Sequence, residues 1–131
     1  MLNKLVVLAM LVAVVLVCGS CNSAGDGSLG AIRVEPATAT ASASAETPDN
    51  QVRFVAWPEW NGGFHPTSNL GNVDWASSDP VNAPISNVRD VTHGVATCLH
   101  VGTGPVTITA TAPKESGSSE IITGTAMLTC N

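Results

Sequence analysis

The chain has 131 residues, room for one domain, with 5 basic and 10 acidic side chains and a net charge of −5. Lys4 lies ahead of the apolar leader, so only Arg33, Arg53, Arg89 and Lys114 remain after it, and that part carries about −6. No clustered basic surface is available to neutralise phosphates, which excludes nucleic acid as a partner and disfavours electrostatic adhesion to an anionic membrane surface.

The chain opens Met1-Leu2-Asn3-Lys4, a short positive segment, and continues with thirteen unbroken apolar residues from Leu5 to Val17. As a helix this run spans roughly 20 Å, short of a ~30 Å hydrocarbon core. With Gly19 and Ser20 behind it, residues 1–20 read as a signal peptide rather than a retained anchor helix. Gly19-Ser20-Cys21 resembles the end of a bacterial lipobox, where cleavage precedes a cysteine that takes lipid. Cys18 stands where that pattern usually has an aliphatic residue, and Val17 before it is too bulky for Cys18 to be the acceptor. The reading is lipidation at Cys21 and a membrane partner held through that lipid. The alternatives are release as a secreted protein by ordinary signal peptidase, and a C-x-x-C metal or redox site, which cleavage before Cys21 would destroy. Cys98 and Cys130 are then left as one pair in an oxidising compartment, and are expected to form a disulfide rather than stay as free thiols.

Residues 22–30, NSAGDGSLG, complete a small, polar tether over 21–30. From residue 31 to 131 the apolar period is near two rather than 3.6. AIRVEP puts Ile32 and Val34 on one face. PATATASASAE is either a low-complexity linker or a weak edge strand. QVRFVAW sets Val52, Phe54 and Ala56 against Arg53, Val55 and Trp57, and NVDWASS pairs Val73 with Trp75. GVATCLHV reads as a strand through Val101, with Gly102 and Gly104 turning the chain. VTITATA and EIITGTAMLTC, separated by the turn PKESGSS, read as a hairpin. No helical stripe follows the leader. The expected fold is all-β, a sandwich of about seven strands.

The ordered set of Ile32-x-Val34-x-Pro36, Trp75-x-Ser77-Ser78-Asp79-Pro80, Gly94-Val95-Ala96-Thr97, the GTGPVTITATA run from Gly102 and the closing GTAMLT strand resembles the bacterial immunoglobulin-like domain of group 2, known from intimin- and invasin-like surface proteins. The resemblance covers residues 31–130. It implies a Greek-key immunoglobulin-like sandwich, a strand at 37–45, and a role in surface structure, adhesion or protein interaction. Trp75 supplies the large apolar body that a two-sheet core needs. Two features depart from the pattern: the chain has no tyrosine, hence no tyrosine corner, and residues 58–72 form a long connection.

That connection holds the candidate ligand-binding residues. Trp57, Trp60 and Phe64 lie within eight residues, punctuated by Pro58, Gly62-Gly63 and Pro66. They either form an aromatic platform for a polysaccharide, cell-wall polymer or surface protein, or fold back to cap the sandwich. His65, His93 and His100 lack zinc-ligand spacing, and Asp74, Asp79 and Asp90 follow no calcium-loop pattern. Ser77, Asp79 and His93 are triad types without a nucleophile elbow or an oxyanion loop. The sequence therefore assigns no catalytic residue, no metal and no cofactor.

Overall fold

In the computed structural model, residues 27–62 and 68–131 are described; the leader, Cys21 and Phe64 lie outside them. Eight strands are present among the described residues: β1 (Ser28–Glu35), β2 (Thr38–Ala41), β3 (Gln51–Arg53), β4 (Val55–Asn61), β5 (Asp74–Ser77), β6 (Val95–Thr97), β7 (Val106–Pro113) and β8 (Ile121–Cys130). No helix occurs among the described residues.

One layer is the sheet β2-β8-β7-β5, in which β2 runs parallel to β8 and the other neighbours are antiparallel. The second layer consists of two antiparallel ladders, β1-β4 and β3-β6. Strands β3 and β4 follow each other across Phe54, whose N–H donates to the Gly94 carbonyl at 2.8 Å and so continues the β3-β6 ladder. The break at Phe54 turns the expected seven strands into eight. The first strand of the chain pairs in one sheet and, after Pro36, its continuation β2 pairs parallel to the last strand in the other. This is an immunoglobulin-like β-sandwich.

The packing explains why these segments are strands. Val106, Ile108, Ala110 and Ala112 of β7 and Gly124, Ala126, Leu128 and Cys130 of β8 all turn inward, while the threonines between them face outward. Small inward residues on the hairpin let β1 approach closely. At Gly124 an added Cβ would overlap the Ile32 carbonyl oxygen and lie 2.9 Å from the Ile32 side chain. Trp75 on β5 sits opposite Ala110 and is buried to 5% exposure, with Phe54, Leu29, Ile108, Leu128 and Val73 filling the interior around it. Gly94 has φ +77°, and a Cβ there would lie 2.6 Å from the Phe54 carbonyl oxygen and 3.1 Å from the Trp75 indole nitrogen. Only glycine suits both the backbone and the space.

Cys98 and Cys130 form a disulfide, with Cα atoms 5.5 Å apart and a sequence separation of 32. Cys98 lies just after β6 and Cys130 ends β8, so the bond ties one layer to the other. For a loop of this size the chain-entropy model gives roughly 3–4 kcal/mol.

Four element boundaries differ from the sequence reading. The first strand begins at Ser28, inside the segment read as tether, because Leu29 is buried to 2% and its N–H donates to the Lys114 carbonyl at 2.9 Å. The Ala/Thr segment is strand only over Thr38–Ala41. Strand β6 stops at Thr97 rather than running to Val101: Cys98 still donates to Asn50, its partner in the β3-β6 register, but the Leu99 N–H turns to the Asn82 carbonyl, and the disulfide draws Cys98 toward β8. Leu99 and Val101 are consequently exposed. Finally, β4 runs on through Pro58 to Asn61, into the stretch read as a long connection. Leu70 N–H donates to the Ala56 carbonyl, which shows that the even-numbered residues of β4 turn their backbone groups away from β1. Pro58 therefore lacks an N–H on the side where no ladder needs one.

Candidate functional site

Extension of β4 decides where the candidate aromatics go. Trp57 and Trp60 are three positions apart on one regular strand, and side chains alternate between faces. Trp60 turns inward, packed against the core and half-buried, with its indole nitrogen enclosed. Trp57 stands half-buried on the opposite face, between Val55 and Glu59. The two rings therefore do not lie side by side: Trp60 faces the core and Trp57 the other side of the strand. Phe64 lies outside the described residues. A strand was hard to recognise here because Pro58 and the following glycines read as loop.

Trp60 lines a groove of about 530 Å³ at the end of the sandwich where β1 begins. Leu29, Leu70 and Ala112 supply apolar walls, and Asn72, Lys114 and Glu115 bring polar groups to it. The Lys114 ammonium reaches the Glu120 carboxylate at 2.9 Å across the β7-β8 turn, which holds this part of the rim in place. Such a groove, apolar inside with a few polar groups around it, is of a size that takes a small ligand or one unit of a polymer.

A second construction, on the connection from Ser78 to Gly94, was not legible in the sequence. Asn87 presents its carboxamide to the backbone of Trp75. Its Oδ1 accepts from the Trp75 N–H at 2.6 Å and its Nδ2 donates to the Trp75 carbonyl at 2.7 Å. The amide thus stands in for a neighbouring strand along the outer edge of β5. Arg89 donates to the Gly71 carbonyl at 3.0 Å and to Asn72 Oδ1 at 2.8 Å, and pairs with Asp74 at 3.3 Å. Arg53 donates to the carbonyls of Val91 and His93. Nothing in the string ISNVRD beyond turn-forming residue types pointed to the partners of Asn87 and Arg89, which lie 12 to 18 positions away.

The remaining candidates are dispersed. Ser77 Oγ accepts from the Asp79 N–H at 3.1 Å, and the Asp79 carboxylate accepts from the Asn82 N–H and Nδ2 at 3.1 and 2.7 Å. These bonds, the side-chain one first, hold the Asp79 carboxyl below the ordinary aspartate range. Asp90 is lowered in the same way by the Thr92 hydroxyl and then the Thr92 N–H. His93 is bonded through Nε2 to the Val73 carbonyl at 3.1 Å and meets the Trp75 ring edge-on at 6.4 Å. No bond among the described residues joins His93 to Ser77 or Asp79. His100 lies exposed near the disulfide. Among the described residues no three His, Cys, Asp or Glu side chains gather where a metal ion could be held.

Compared with protein-family models and with curated proteins, the chain matches none.

Proposed function

We propose that the protein is a non-catalytic immunoglobulin-like module, exported and held at the cell envelope by a lipid on Cys21, that acts in surface structure, adhesion or protein interaction. The observation that carries this reading is a small sandwich whose two layers are joined by a disulfide, behind a leader-like segment that ends Gly19-Ser20, just before Cys21. A structural disulfide persists in exported compartments and is rare in the cytosol. Within the Ser78–Gly94 connection, Asn87 and Arg89 turn their side chains to backbone groups of Trp75 and Gly71, which is the use expected of a scaffold. Mass spectrometry of the envelope protein should find a diacylglyceryl group on an N-terminal Cys21, and globomycin should leave the leader attached. An unmodified, soluble N-terminus overturns the anchor.

The groove beside Trp60 favours one further reading, recognition of a carbohydrate or cell-wall polymer. In that reading Trp60 is the contact and Trp57 is not, because Trp57 faces away. A polysaccharide pull-down should lose binding in Trp60→Ala and keep it in Trp57→Ala. Equal retention of wild type and Trp60→Ala removes this reading and leaves the scaffold reading intact.

A further inference from the structure

Each sandwich layer has two outer strands, and outer strands expose unpaired N–H and C=O groups to which another chain can add. Three of the four are obstructed here. The edge of β6 is covered by the segment before it: Ser86 N–H donates to the Val95 carbonyl, Gly94 N–H to Ser86, and Thr97 N–H to Pro84. The edge of β5 is occupied at Trp75 by the Asn87 carboxamide. Strand β1 has an irregularity between Leu29 and Ala31, carries the ion-paired Arg33 and Glu35, and stops at Pro36. Charges, bulges and prolines are the usual obstacles to strand addition.

The fourth, β2, has none of these. From Ala37 to Ala45 the sequence is ATATASASA, with no charge and no proline, in a chain of 10 acidic residues. The Met127 N–H donates to Ala37, Asn131 N–H to Ala41, and Ala43 N–H to Asn131. The odd-numbered residues therefore serve the ladder with β8. By the alternation of strand backbone, the N–H and C=O of Thr38 and Thr40 point the other way, away from the sheet. No partner for them occurs among the described residues, and both side chains are exposed.

We infer that β2 is a self-association edge and that its occupant is β2 of a second copy, antiparallel about a two-fold axis through Ala39. In that register Thr38 of one copy faces Thr40 of the other, twice, and each facing pair has both backbone groups directed across the gap. The segment Thr38-Ala39-Thr40 is palindromic, so it offers itself the complement it needs, and facing threonines are a favourable cross-strand pair. Glu35 falls opposite Ala43 of the other copy, so no acidic residue faces another. The contact covers residues 37–41, five a side, well below the ~1,200 Å² of stable interfaces, so the pairing is weak, with a dissociation constant on the order of 100 µM or more. The inference does not rest on the lipid anchor or on the Trp60 groove.

Sedimentation equilibrium of the full chain in mild detergent tests this, together with two variants. The wild type should shift toward twice its monomer mass as concentration rises through the 100 µM range. Thr40→Pro removes an N–H that the β8 ladder does not use, and should weaken association about tenfold while leaving the melting temperature near that of the wild type. Ala39→Cys lies on the axis and should cross-link two chains on mild oxidation, because facing Cβ atoms in such a pair are ~4.5–5.5 Å apart. Thr125→Cys, on the outer face of β8, should not. A wild type that stays monomeric overturns the inference and leaves the edge to a strand from another protein or to none. Association that survives intact in Thr40→Pro overturns it by placing the contact elsewhere. If Thr40→Pro does not fold, the two cysteine variants decide: equal cross-linking, or none from Ala39→Cys, overturns the inference.

Discussion

The β7-β8 hairpin and the connection from Ser78 to Gly94 flank the same buried tryptophan but are held by different forces. The hairpin is a full antiparallel ladder with an inner face of small apolar residues, and its end is welded to the opposite layer at Cys130. The connection has a short backbone ladder on β6, at Pro84 and Ser86, but none on β5. It lies on β5 through side chains that reach backbone: Asn87 on Trp75, Arg89 on Gly71, Arg53 on Val91 and His93. Its apolar side chains are divided: Ala83 is fully buried and Ile85 packs against the core, while Val88 and Val91 beside the clamp are exposed, Val91 to 82%. One region is specified by a pattern repeated over many residues, the other by a few irreplaceable groups. Damage to the first should lower global stability; damage to the second should open a local region.

The largest effect should come from the weld. Removing it with Cys98→Ser and Cys130→Ser together is expected to cost roughly 3–4 kcal/mol in denaturant unfolding, a large share of a domain's ~5–15 kcal/mol. If the double variant unfolds at the same denaturant concentration as the wild type, the two layers hold without covalent help. Gly124→Ala comes next. The new methyl meets backbone, the Ile32 carbonyl, rather than a side chain that can rotate away, so β1 must lift from β8 at a cost of about 1–3 kcal/mol. Unchanged stability would mean that β1 yields easily and that its close approach contributes little.

Asn87→Ala probes the other region. Loss of two hydrogen bonds should cost about 1–2 kcal/mol, and the Trp75 amide should exchange with solvent much faster while the amides of the β7-β8 ladder keep their protection. Asn87→Asp keeps an acceptor for the Trp75 N–H but sets a second oxygen against the Trp75 carbonyl, so it should not rescue. Uniform loss of protection in both regions would erase the distinction between them.

The same contrast governs what was legible beforehand. Alternation over VTITATA and TGTAMLTC is repeated often enough that chance cannot mimic it, and it gave the sandwich and the hairpin. The cysteine pair followed from the count and the expected compartment. Single-residue devices leave no such trace. An asparagine in a turn looks the same whether or not it clamps a tryptophan 12 positions away. The fate of Trp57 and Trp60 depended on whether β4 survives Pro58, and that in turn depended on β1 starting at Ser28 to pair with it. Those facts belong to tertiary structure, and a local reading of prolines and glycines points the opposite way.

The smallest expected effect lies at the start of the Ser78–Gly94 connection and depends on pH. Asp79 closes the turn onto Asn82 as a carboxylate, and those bonds hold its folded-state pKa below the ordinary value. As pH falls the unfolded chain therefore takes up the proton first. The stabilisation from Asp79 is complete above the unfolded pKa of about 3.9 and is lost as the pH drops through the lower folded value. Asp79→Asn removes the charge and an acceptor without changing the shape. It should melt below the wild type at pH 7, and the gap should close as melting is repeated at successively lower pH below about 4. Asp90, lowered by Thr92, titrates in the same direction and remains in both proteins, so it cancels from the difference. A gap that stays constant from neutral to strongly acidic pH would show that the turn needs the shape of the side chain and not its charge, and that this region is held by geometry as the hairpin is.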